Sequence, residues 1–341
     1  PCPSFPRVLV MSAPVSFHIH GAGVAGLCVA TALVARGAQV SLYDPNGLPD
    51  THCCSWWAGG MLAPFCEGEA AEEPVIRLGQ KAASWWQKQG VDVVQKGSLV
   101  VALARDKSEL TRFARRTEQH QNVDEDGIAA LEPDLAGRVR QGLFFETEAH
   151  LSPRDALKKL TENLISAGVT ISSEVPASNP SSQLIDCRGL SAQDALRDLR
   201  GVKGEMLVLH SKDITLSRPV RMLHPRHPLY IVPRGDGIFM LGATQIESSD
   251  RTRATVRSVL ELLSAAFALH PAFGEAEILE IGVDARPAFP DNLPRIRHHN
   301  NIIYANGLFR HGFLLAPALA EMTADYCLTG KQPEVMDEYL G

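Results

Sequence analysis

The sequence predicts a mixed α/β and α+β protein, in which a parallel-sheet domain is interleaved with a domain built on a mostly antiparallel sheet. Three observations predict this fold class. A strand, a glycine-rich turn, a helix and a second strand follow one another over residues 15–44. Short strands separated by turn residues begin after Gly201. A strand at 302–305 and a helix at 317–328 then return the chain to the first domain.

The first pair of strands encloses a glycine spacing that binds phosphate in many proteins. A strand at 15–20 leads into the turn, a helix at 24–36 follows, and a second strand, Gln39–Tyr43, ends on Asp44. The turn has the spacing G-x-G-x-x-G, with its glycines at Gly21, Gly23 and Gly26. Strand, glycines, helix, strand and acid in this order are typical of a Rossmann-like dinucleotide-binding domain.

Each glycine of this turn has its own physical role. Gly21 permits the tight turn, Gly23 lets the backbone approach a pyrophosphate, and Gly26 allows helix and strand to pack closely. Free N–H groups and the dipole at the helix N-terminus attract the phosphates. Asp44, 18 residues beyond Gly26, is placed to accept a hydrogen bond from a ribose hydroxyl.

Hydrophobic periodicity and turn residues predict the other elements. In the middle of the chain these are helix 74–89, strand 98–104, helix 107–119, strand 143–146, helix 152–167, strand 169–172 and strand 183–186. After Gly201 they are strands 202–210, 219–224, 230–233 and 238–243, helix 252–269 and strand 276–285. Ser152 and Pro153 predict the N-cap and the first position of helix 152–167.

These elements predict how the chain is divided between two domains. Residues 15–70, 145–200 and 290–341 are predicted to form the nucleotide-binding domain, and residues 71–144 and 201–289 the substrate domain. The first ten residues contain three prolines and an apolar run too short for a signal peptide. Residues 1–14 are therefore predicted to be an extension outside the fold, with Met11 as the native start.

Composition argues against several classes of function. The chain has 341 residues, 45% of them apolar, which is enough for one large or two interlocked domains. A net charge of −6 argues against nucleic acid as the main partner. Seven cysteines without a C-x-x-C spacing favour a reducing, cytoplasmic setting. The longest apolar stretch, 21–35, is too short for a membrane span.

Four blocks beyond the glycine turn resemble one enzyme family. They are SWWAGGMLAP at 55–64, YIVPRGDGIFMLGAT at 230–244, ARPAFPDNLPR at 285–295 and NGLFRHGFLLAPALAE at 306–321. With these blocks, residues 15–330 resemble the flavin-dependent D-amino-acid oxidase superfamily, and most closely its glycine oxidases of the thiamine pathway. The resemblance implies FAD as cofactor. The C-terminal block contains no cysteine, so the FAD is expected to be non-covalent.

The resemblance also implies which residues of the N-terminal half line the cofactor. The small residues Ala58, Gly59 and Gly60 would let the backbone approach a flat flavin ring, and a flexible surface loop is the alternative. The implied cofactor residues are Gly21, Gly23, Val24, Ala25, Gly26, Asp44, Cys54, Ser55, Gly59, Gly60 and Met61. Val175 is a weaker candidate for a backbone contact on the adenine side.

The C-terminal block is expected to lie at the other end of the flavin ring. In the family, its backbone donors face the O2 side and stabilise negative charge on the reduced ring. The implied residues are Gly307, Leu308, Phe309, Arg310, His311, Gly312, Phe313 and Leu314. Leu308 and His311 replace a more usual His and Asn, which affects side-chain hydrogen bonds and leaves the backbone ones unchanged. An ordinary glycine-rich helix start is the alternative.

Three residues are implied in substrate binding. Arg286 lies at the end of an apolar strand, where a buried guanidinium needs an anionic partner, and its parallel N–H donors fit an α-carboxylate. A structural pair with Asp284 or Asp291 is the alternative. Tyr230 matches a tyrosine that helps to hold the carboxylate, or else lies in the sheet core. Arg310 matches a further active-site arginine, or else contacts only protein or flavin.

The sequence therefore predicts an FAD enzyme that oxidises the C–N bond of glycine or another small amine. The resemblance implies that dioxygen is reduced to hydrogen peroxide and that the imine yields a 2-oxo acid or feeds thiazole synthesis. No side chain is predicted to act as acid or base. The alternatives are a D-amino-acid or sarcosine-type enzyme with another electron acceptor, and a flavin-binding protein without turnover.

Few further partners are predicted. His298-His299 and His224-x-x-His227 lack acid or thiol ligands at metal spacing, so these histidines are expected in loops or facing solvent and no metal is predicted. The partners expected are a small amino acid and dioxygen. The sequence leaves open whether the chain forms a homo-oligomer.

Overall fold

Strands and helices cover most of the computed structural model, which describes residues 15–175 and 181–338. The strands are β1 Ser16–His20, β2 Gln39–Tyr43, β3 Met61–Leu62, β4 Val93–Val94, β5 Ser98–Ala102, β6 Gln121–Asp124, β7 Gln141–Phe145, β8 Ala149–Leu151, β9 Thr170–Ser172, β10 Ser182–Asp186, β11 Arg200–His210, β12 Val220–Leu223, β13 Leu229–Gly235, β14 Ile238–Gly242, β15 Ile246–Glu247, β16 Glu277–Ala288, β17 Arg295–His299 and β18 Ile302–Asn306. The helices are α1 Val24–Val34, α2 Pro64–Glu67, α3 Glu73–Gly79, α4 Ala82–Lys88, α5 Lys107–Arg116, α6 Glu125–Leu131, α7 Pro153–Ser166, α8 Val256–Leu269 and α9 Gly312–Thr329. The extension predicted at 1–14 lies outside the described residues.

The first sheet contains the glycine turn. Its strand order is β17-β18-β10-β1-β2-β9, and all neighbours run parallel except β17, which is antiparallel to β18. Helices α1 and α9 are apolar on most sides, and such helices are stable only when they are buried. Leu27 of α1 and Leu319 of α9 accordingly lie in one core with Ile19 of β1. The helices thus cover the faces of the sheet, and the carboxyl ends of its parallel strands remain available to line a binding site.

The second sheet is mostly antiparallel. Its strand order is β15-β11-β14-β13-β12-β5-β7-β6, β16 also pairs with β11, and the pair β12 and β5 is parallel. Leu207, Ile231 and Leu241 pack on one side with Leu262 of α8. Because side chains alternate along a strand, the neighbouring Tyr230 points to the opposite side. The predicted mixture of α/β and α+β structure is confirmed.

A small third sheet, β3-β8-β4, adjoins the first core. In it Met61 is paired with His150. Val75 of α3 and Trp86 of α4 pack into the core of the first sheet, not that of the second. The predicted division of the chain between a nucleotide-binding domain and a substrate domain stays a prediction.

Two predicted helices differ in extent from the observed ones. The helix predicted at 74–89 is two helices, α3 and α4, separated at residues 80–81. The last helix begins at Gly312, five residues before the predicted start at Pro317. A proline inside a helix leaves the carbonyl four residues earlier without its usual donor. Here that carbonyl, Phe313 O, accepts a hydrogen bond of 2.8 Å from Trp86 Nε1, so the helix continues through the proline.

The N-cap predicted at Ser152 is confirmed, since its hydroxyl accepts from Asp155 N, although at a long 3.5 Å. Helix α8 begins at Val256, four residues later than predicted, because the Thr255 hydroxyl caps it by accepting from Ser258 N at 3.2 Å.

Over 15–175 and 181–338, no helix is both long and apolar enough to cross a membrane.

Candidate functional site

A cavity of about 860 Å³ lies between the carboxyl ends of the first sheet and the second sheet. In open α/β sheets this edge is where ligands bind. The cavity is lined by most of the predicted residues: Gly21, Gly23, Val24, Ala25, Asp44, Cys54, Ser55, Gly59, Gly60, Met61, Tyr230, Arg286 and all residues from Gly307 to Leu314. Gly26 and Val175 do not line it. Val175 is 76% exposed, so its contact on the adenine side stays a prediction.

Contacts within the protein account for two glycines of the turn, Gly21 and Gly26, but not for Gly23. Gly21 has a φ of +101°, a region that favours glycine, and a Cβ on Gly26 would lie 1.8 Å from Gly21 O. A Cβ on Gly23 would meet no protein atom closer than 3.5 Å, yet Gly23 lines the cavity. Protein packing therefore requires Gly21 and Gly26, whereas Gly23 keeps the cavity side of the turn open.

Asp44 organises this turn from the end of β2. Its Oδ2 accepts from Ala22 N at 2.9 Å and its Oδ1 accepts from Asn46 N at 3.0 Å. A carboxylate has about four lone-pair sites, so both oxygens can still accept a hydroxyl hydrogen bond. The position fits the predicted ribose contact and adds a structural role that the sequence analysis did not predict.

Two helix N-termini meet at the cavity. A Cβ on Gly312 would lie 3.5 Å from Val24 Cγ1, so the first residues of α1 and α9 are neighbours. Neither Gly23 nor His311, the two N-cap residues, makes a side-chain capping hydrogen bond. The first-turn N–H groups and the positive ends of two helix dipoles thus favour negative charge in the cavity.

Arg234 supports the small-residue loop from behind. Its guanidinium donates to Gly59 O at 2.6 Å, to Ala58 O at 3.3 Å and to Leu151 O at 3.2 Å. Within the described chain no carboxylate lies within 4.0 Å of it, and burial lowers the pKa of Arg234 to about 10. Arg234 was not predicted from the sequence, although an arginine inside the apolar strand 229–235 was a usable signal.

The ring of Tyr230 is enclosed by two glycines. A Cβ on Gly242 would lie 2.5 Å from Tyr230 Oη, and a Cβ on Gly59 would lie 3.0 Å from Tyr230 Cε2. Tyr230 is half-buried and lines the cavity. Tyr230 thus lines the cavity and also packs against the sheet cluster of Met206, Val208 and Met240, so its contact with a substrate carboxylate stays a prediction.

Arg286 projects from β16 into the same cavity. Its Nη1 donates to Thr244 O at 3.2 Å. The alternative partners are engaged elsewhere: Asp284 pairs with Arg251 at 2.6 Å, and Asp291 pairs with Arg295. Among the described residues, no carboxylate lies within 4.0 Å of the Arg286 guanidinium. The structure thus does not support the ion pairs that the sequence left open as an alternative.

Arg310 lines the cavity but has a protein partner. Its Nη2 lies 2.9 Å from Glu67 Oε2, and Arg221 Nη2 lies 2.6 Å from Glu67 Oε1. His311 Nε2 also lies 2.9 Å from Glu67 Oε2. Arg310 therefore contacts protein while it lines the cavity, and its contact with substrate stays a prediction. Glu67 and Arg221 were not predicted, because a strand arginine and a helix-end glutamate far apart in sequence form no local pattern.

Cysteines near the cavity are reduced and uncharged. The described cysteines, which exclude Cys2, are all free thiols. Burial, and then the charge of Asp284, raise the pKa of Cys54 well above its usual range. Cys54 lines the cavity as a neutral thiol. In the part of the chain that the structure describes, no group of His, Cys, Asp or Glu side chains is arranged to hold a metal ion.

The cavity fits an anionic dinucleotide with a flat ring. Its volume of about 860 Å³ is in the upper part of the range for cofactor pockets, about 300–1,000 Å³. The glycine turn and α1 would hold a pyrophosphate, and Asp44 a ribose. Gly59 and Gly60 would admit a ring beside the backbone, with the N-terminus of α9 at its edge.

Comparison with known proteins places the sequence in a family of flavoenzymes. The sequence matches the family DAO, FAD dependent oxidoreductase, over residues 18–326. A candidate thiamine biosynthesis oxidoreductase, ThiO, from Rhizobium etli is 51% identical, over 93% of this chain and 98% of that protein. A glycine oxidase from Bacillus licheniformis is 23% identical, over 91% and 92% of the two chains. The structure of glycine oxidase from Geobacillus kaustophilus covers 94% of this chain and 96% of its own, with a TM-score of 0.76 and 21% identity. This chain belongs to the DAO family of FAD-dependent oxidoreductases.

Proposed function

We propose that this protein oxidises the C–N bond of glycine, or of an amino acid of similar size, with non-covalently bound FAD and dioxygen, and that the product serves thiamine synthesis. The relatives named for thiamine biosynthesis and for glycine oxidation support the reaction and the pathway. One observation carries the substrate class. Arg286 presents a guanidinium to the cavity, and no carboxylate of the described residues neutralises it.

Arg286 binds the substrate α-carboxylate in this proposal. A planar guanidinium matches a carboxylate through two parallel hydrogen bonds, which fixes both position and orientation. Its bond to Thr244 O, at 3.2 Å, holds Nη1 and leaves other N–H donors for the substrate. Tyr230 adds its hydroxyl as a further donor to the carboxylate.

Orientation is the main contribution of the protein to the rate. Bound FAD would supply the acceptor for the hydride, with its two electrons, that leaves the substrate Cα as the C–N bond is oxidised to an imine. Arg286 and Tyr230 hold the amino acid so that its Cα faces the small-residue loop at Gly59 and Gly60. The N-terminus of α9 stabilises negative charge that develops beside it. No acid or base side chain is assigned.

The cofactor contacts are also part of the proposal. Residues Gly21, Gly23, Val24, Ala25 and Gly26 form the pyrophosphate turn, although Gly26 acts through packing. Cys54, Ser55, Gly59, Gly60 and Met61 would line the flavin ring, and Gly307 to Leu314 would hold its other edge. Val175 remains the proposed adenine-side contact, and Arg310 a proposed substrate contact.

The test replaces Arg286 and compares it with a neighbouring arginine. We expect Arg286→Met to retain FAD and to raise the KM for glycine by about a hundredfold, since truncating one partner of a buried charge pair costs about 2–5 kcal/mol. Arg200→Met is the matched control, because Arg200 lies on the paired strand β11 but binds Glu247 outside the cavity. Glycine-dependent hydrogen peroxide and anaerobic bleaching of the visible spectrum are the measurements.

Two results would contradict the proposal. Unchanged bleaching by glycine in Arg286→Met would remove the residue from its role. Turnover only with an artificial electron acceptor would show that dioxygen is not the oxidant. The cytoplasmic setting and a homo-oligomeric state are proposals as well, the first supported by the free thiols and the second testable by sedimentation.

A further inference from the structure

A second arginine lies beside Tyr230 on the floor of the cavity. Arg221 of β12 is paired in register with Tyr230 of β13. Side chains of directly opposed residues lie on the same face of a sheet, about 5 Å apart at Cβ. Arg221, Tyr230 and Arg310 all line the cavity. Besides Arg286, the guanidinium groups of Arg221 and Arg310 are therefore among those that face the cavity.

Glu67 lies between these two further arginines. Its carboxylate is 2.6 Å from Arg221 Nη2 and 2.9 Å from Arg310 Nη2, one oxygen to each. Only 8% of the Glu67 side chain is exposed. Burial alone would raise the pKa of Glu67, but Arg310 and then Arg221 outweigh burial and hold the pKa well below its usual range. Glu67 is thus an anion bound by two guanidinium groups.

Arg221 and Arg310 together have fewer ionised acid partners than positive charges. The other buried acid nearby is Glu148, whose Oε1 accepts from Cys66 N at 2.8 Å. Among the described residues it has no ion pair within 4.0 Å, and burial raises its pKa. Arg221 Nε is buried and has no hydrogen-bond partner in the described chain. One ionised glutamate therefore faces two permanent positive charges, with His311 beside it.

We infer that Glu67 occupies an anion subsite formed by Arg221 and Arg310, and that it thereby restricts the enzyme to amines with a single carboxylate. This inference rests on the proposed function, because it assumes that Arg286 binds the α-carboxylate. A second carboxylate on the substrate would need the position that Glu67 fills, and it would be repelled by the Glu67 charge. Without that charge, the site takes short amines with two carboxylates.

The test measures ligand binding as well as turnover. Glu67→Gln keeps the size of the side chain and removes its charge. In the FAD-loaded protein, we expect the affinity for malonate relative to acetate to rise at least tenfold, as measured by calorimetry and by the visible spectrum. The ratio of kcat/KM for iminodiacetate to that for glycine should rise in the same direction.

Glu132→Gln is the matched control. Glu132 is also a buried glutamate held by an arginine, Arg218, at 2.8 Å, but neither residue lines the cavity. This change is expected to lower stability without changing the malonate to acetate ratio. In the Glu67→Gln background, Arg221→Met should abolish the gain, since it removes one of the guanidinium groups that would bind the second carboxylate.

Several outcomes decide the matter. An unchanged ratio in folded, FAD-loaded Glu67→Gln overturns the inference. If that variant does not fold, Glu67→Met also removes the charge at a similar side-chain length, and an unchanged ratio there overturns the inference too. Failure of the unaltered protein to oxidise glycine counts against the proposed function alone, because the binding ratio is measured without turnover.

Discussion

The guanidinium of Arg286 lies so close to Gly204 that a Cβ on residue 204 would come within 2.4 Å of Nη2. Gly204 belongs to β11, the strand that pairs with β16, and its backbone lies opposite Asp284. Arg286 therefore crosses the neighbouring strand at a position where that strand has no side chain. A glycine on one strand thus allows an arginine on the next to reach the cavity.

Gly204→Ala is expected to displace Arg286 and weaken substrate binding. Cβ contacts below 3.0 Å are essentially never observed, so the guanidinium must move. We expect the KM for glycine to rise about tenfold, equivalent to about 1.4 kcal/mol of binding. Gly142→Ala, on β7, is the control because its Cβ would crowd Val100 O at 3.0 Å far from Arg286. A folded Gly204→Ala with an unchanged KM would disprove the relationship.

Gly26→Ala and Gly23→Ala should separate folding from cofactor binding. Alanine normally stabilises a helix by about 1 kcal/mol relative to glycine, but a Cβ on Gly26 would lie 1.8 Å from Gly21 O. We expect Gly26→Ala to lose at least about 3 kcal/mol of unfolding free energy through strain at the turn. Gly23→Ala should keep the stability of the FAD-free protein and lose FAD affinity. Urea unfolding and FAD titration measure the two effects, and identical behaviour of the two variants would contradict the assignment.

Arg234→Met should loosen the loop that carries Gly59. It removes the Arg234 hydrogen bonds to three partly buried carbonyl oxygens, at Ala58, Gly59 and Leu151. Each unsatisfied group costs about 1–3 kcal/mol, so we expect a fall of a few kcal/mol in unfolding free energy and about tenfold weaker FAD binding. Arg234→Lys, which can reach fewer of these oxygens at once, should lie between. Full FAD affinity in Arg234→Met would exclude a role for Arg234 in positioning the loop.

His150 should make the protein sensitive to acid. Burial, with Arg234 and Lys96, lowers the pKa of His150 to about 4. The unfolded chain takes up this proton near pH 6.5 and the folded protein only near pH 4, so stability falls as the pH drops through that window. The loss is up to about 3 kcal/mol. Urea unfolding of His150→Leu between pH 7 and 4.5 should show a smaller loss than the unaltered protein, and an equal loss would rule His150 out.

Local patterns in the sequence determined the nucleotide-binding half of the site. The strand, turn, helix and acid at 15–44 are close in the chain, and their geometry follows from the backbone demands of Gly21 and Gly26. The same locality explains why the N-cap at Ser152 was predictable. Local sequence did not predict the start of the last helix, which contains Pro317. That helix includes the proline because Trp86 Nε1, from a distant helix, donates to Phe313 O.

Tertiary structure alone decided which charges meet in the cavity. Glu67 lies 154 positions from Arg221 and 244 positions from His311, the neighbour of Arg310, and no spacing in the sequence joins them. Arg286 could have paired with Asp284 by proximity in the chain, but Arg251 takes that carboxylate in the fold. The sequence by itself determined the mixed fold class and the family, because backbone conformation is set by near neighbours. Electrostatic pairing depends on distances in space, which only the packed sheets define.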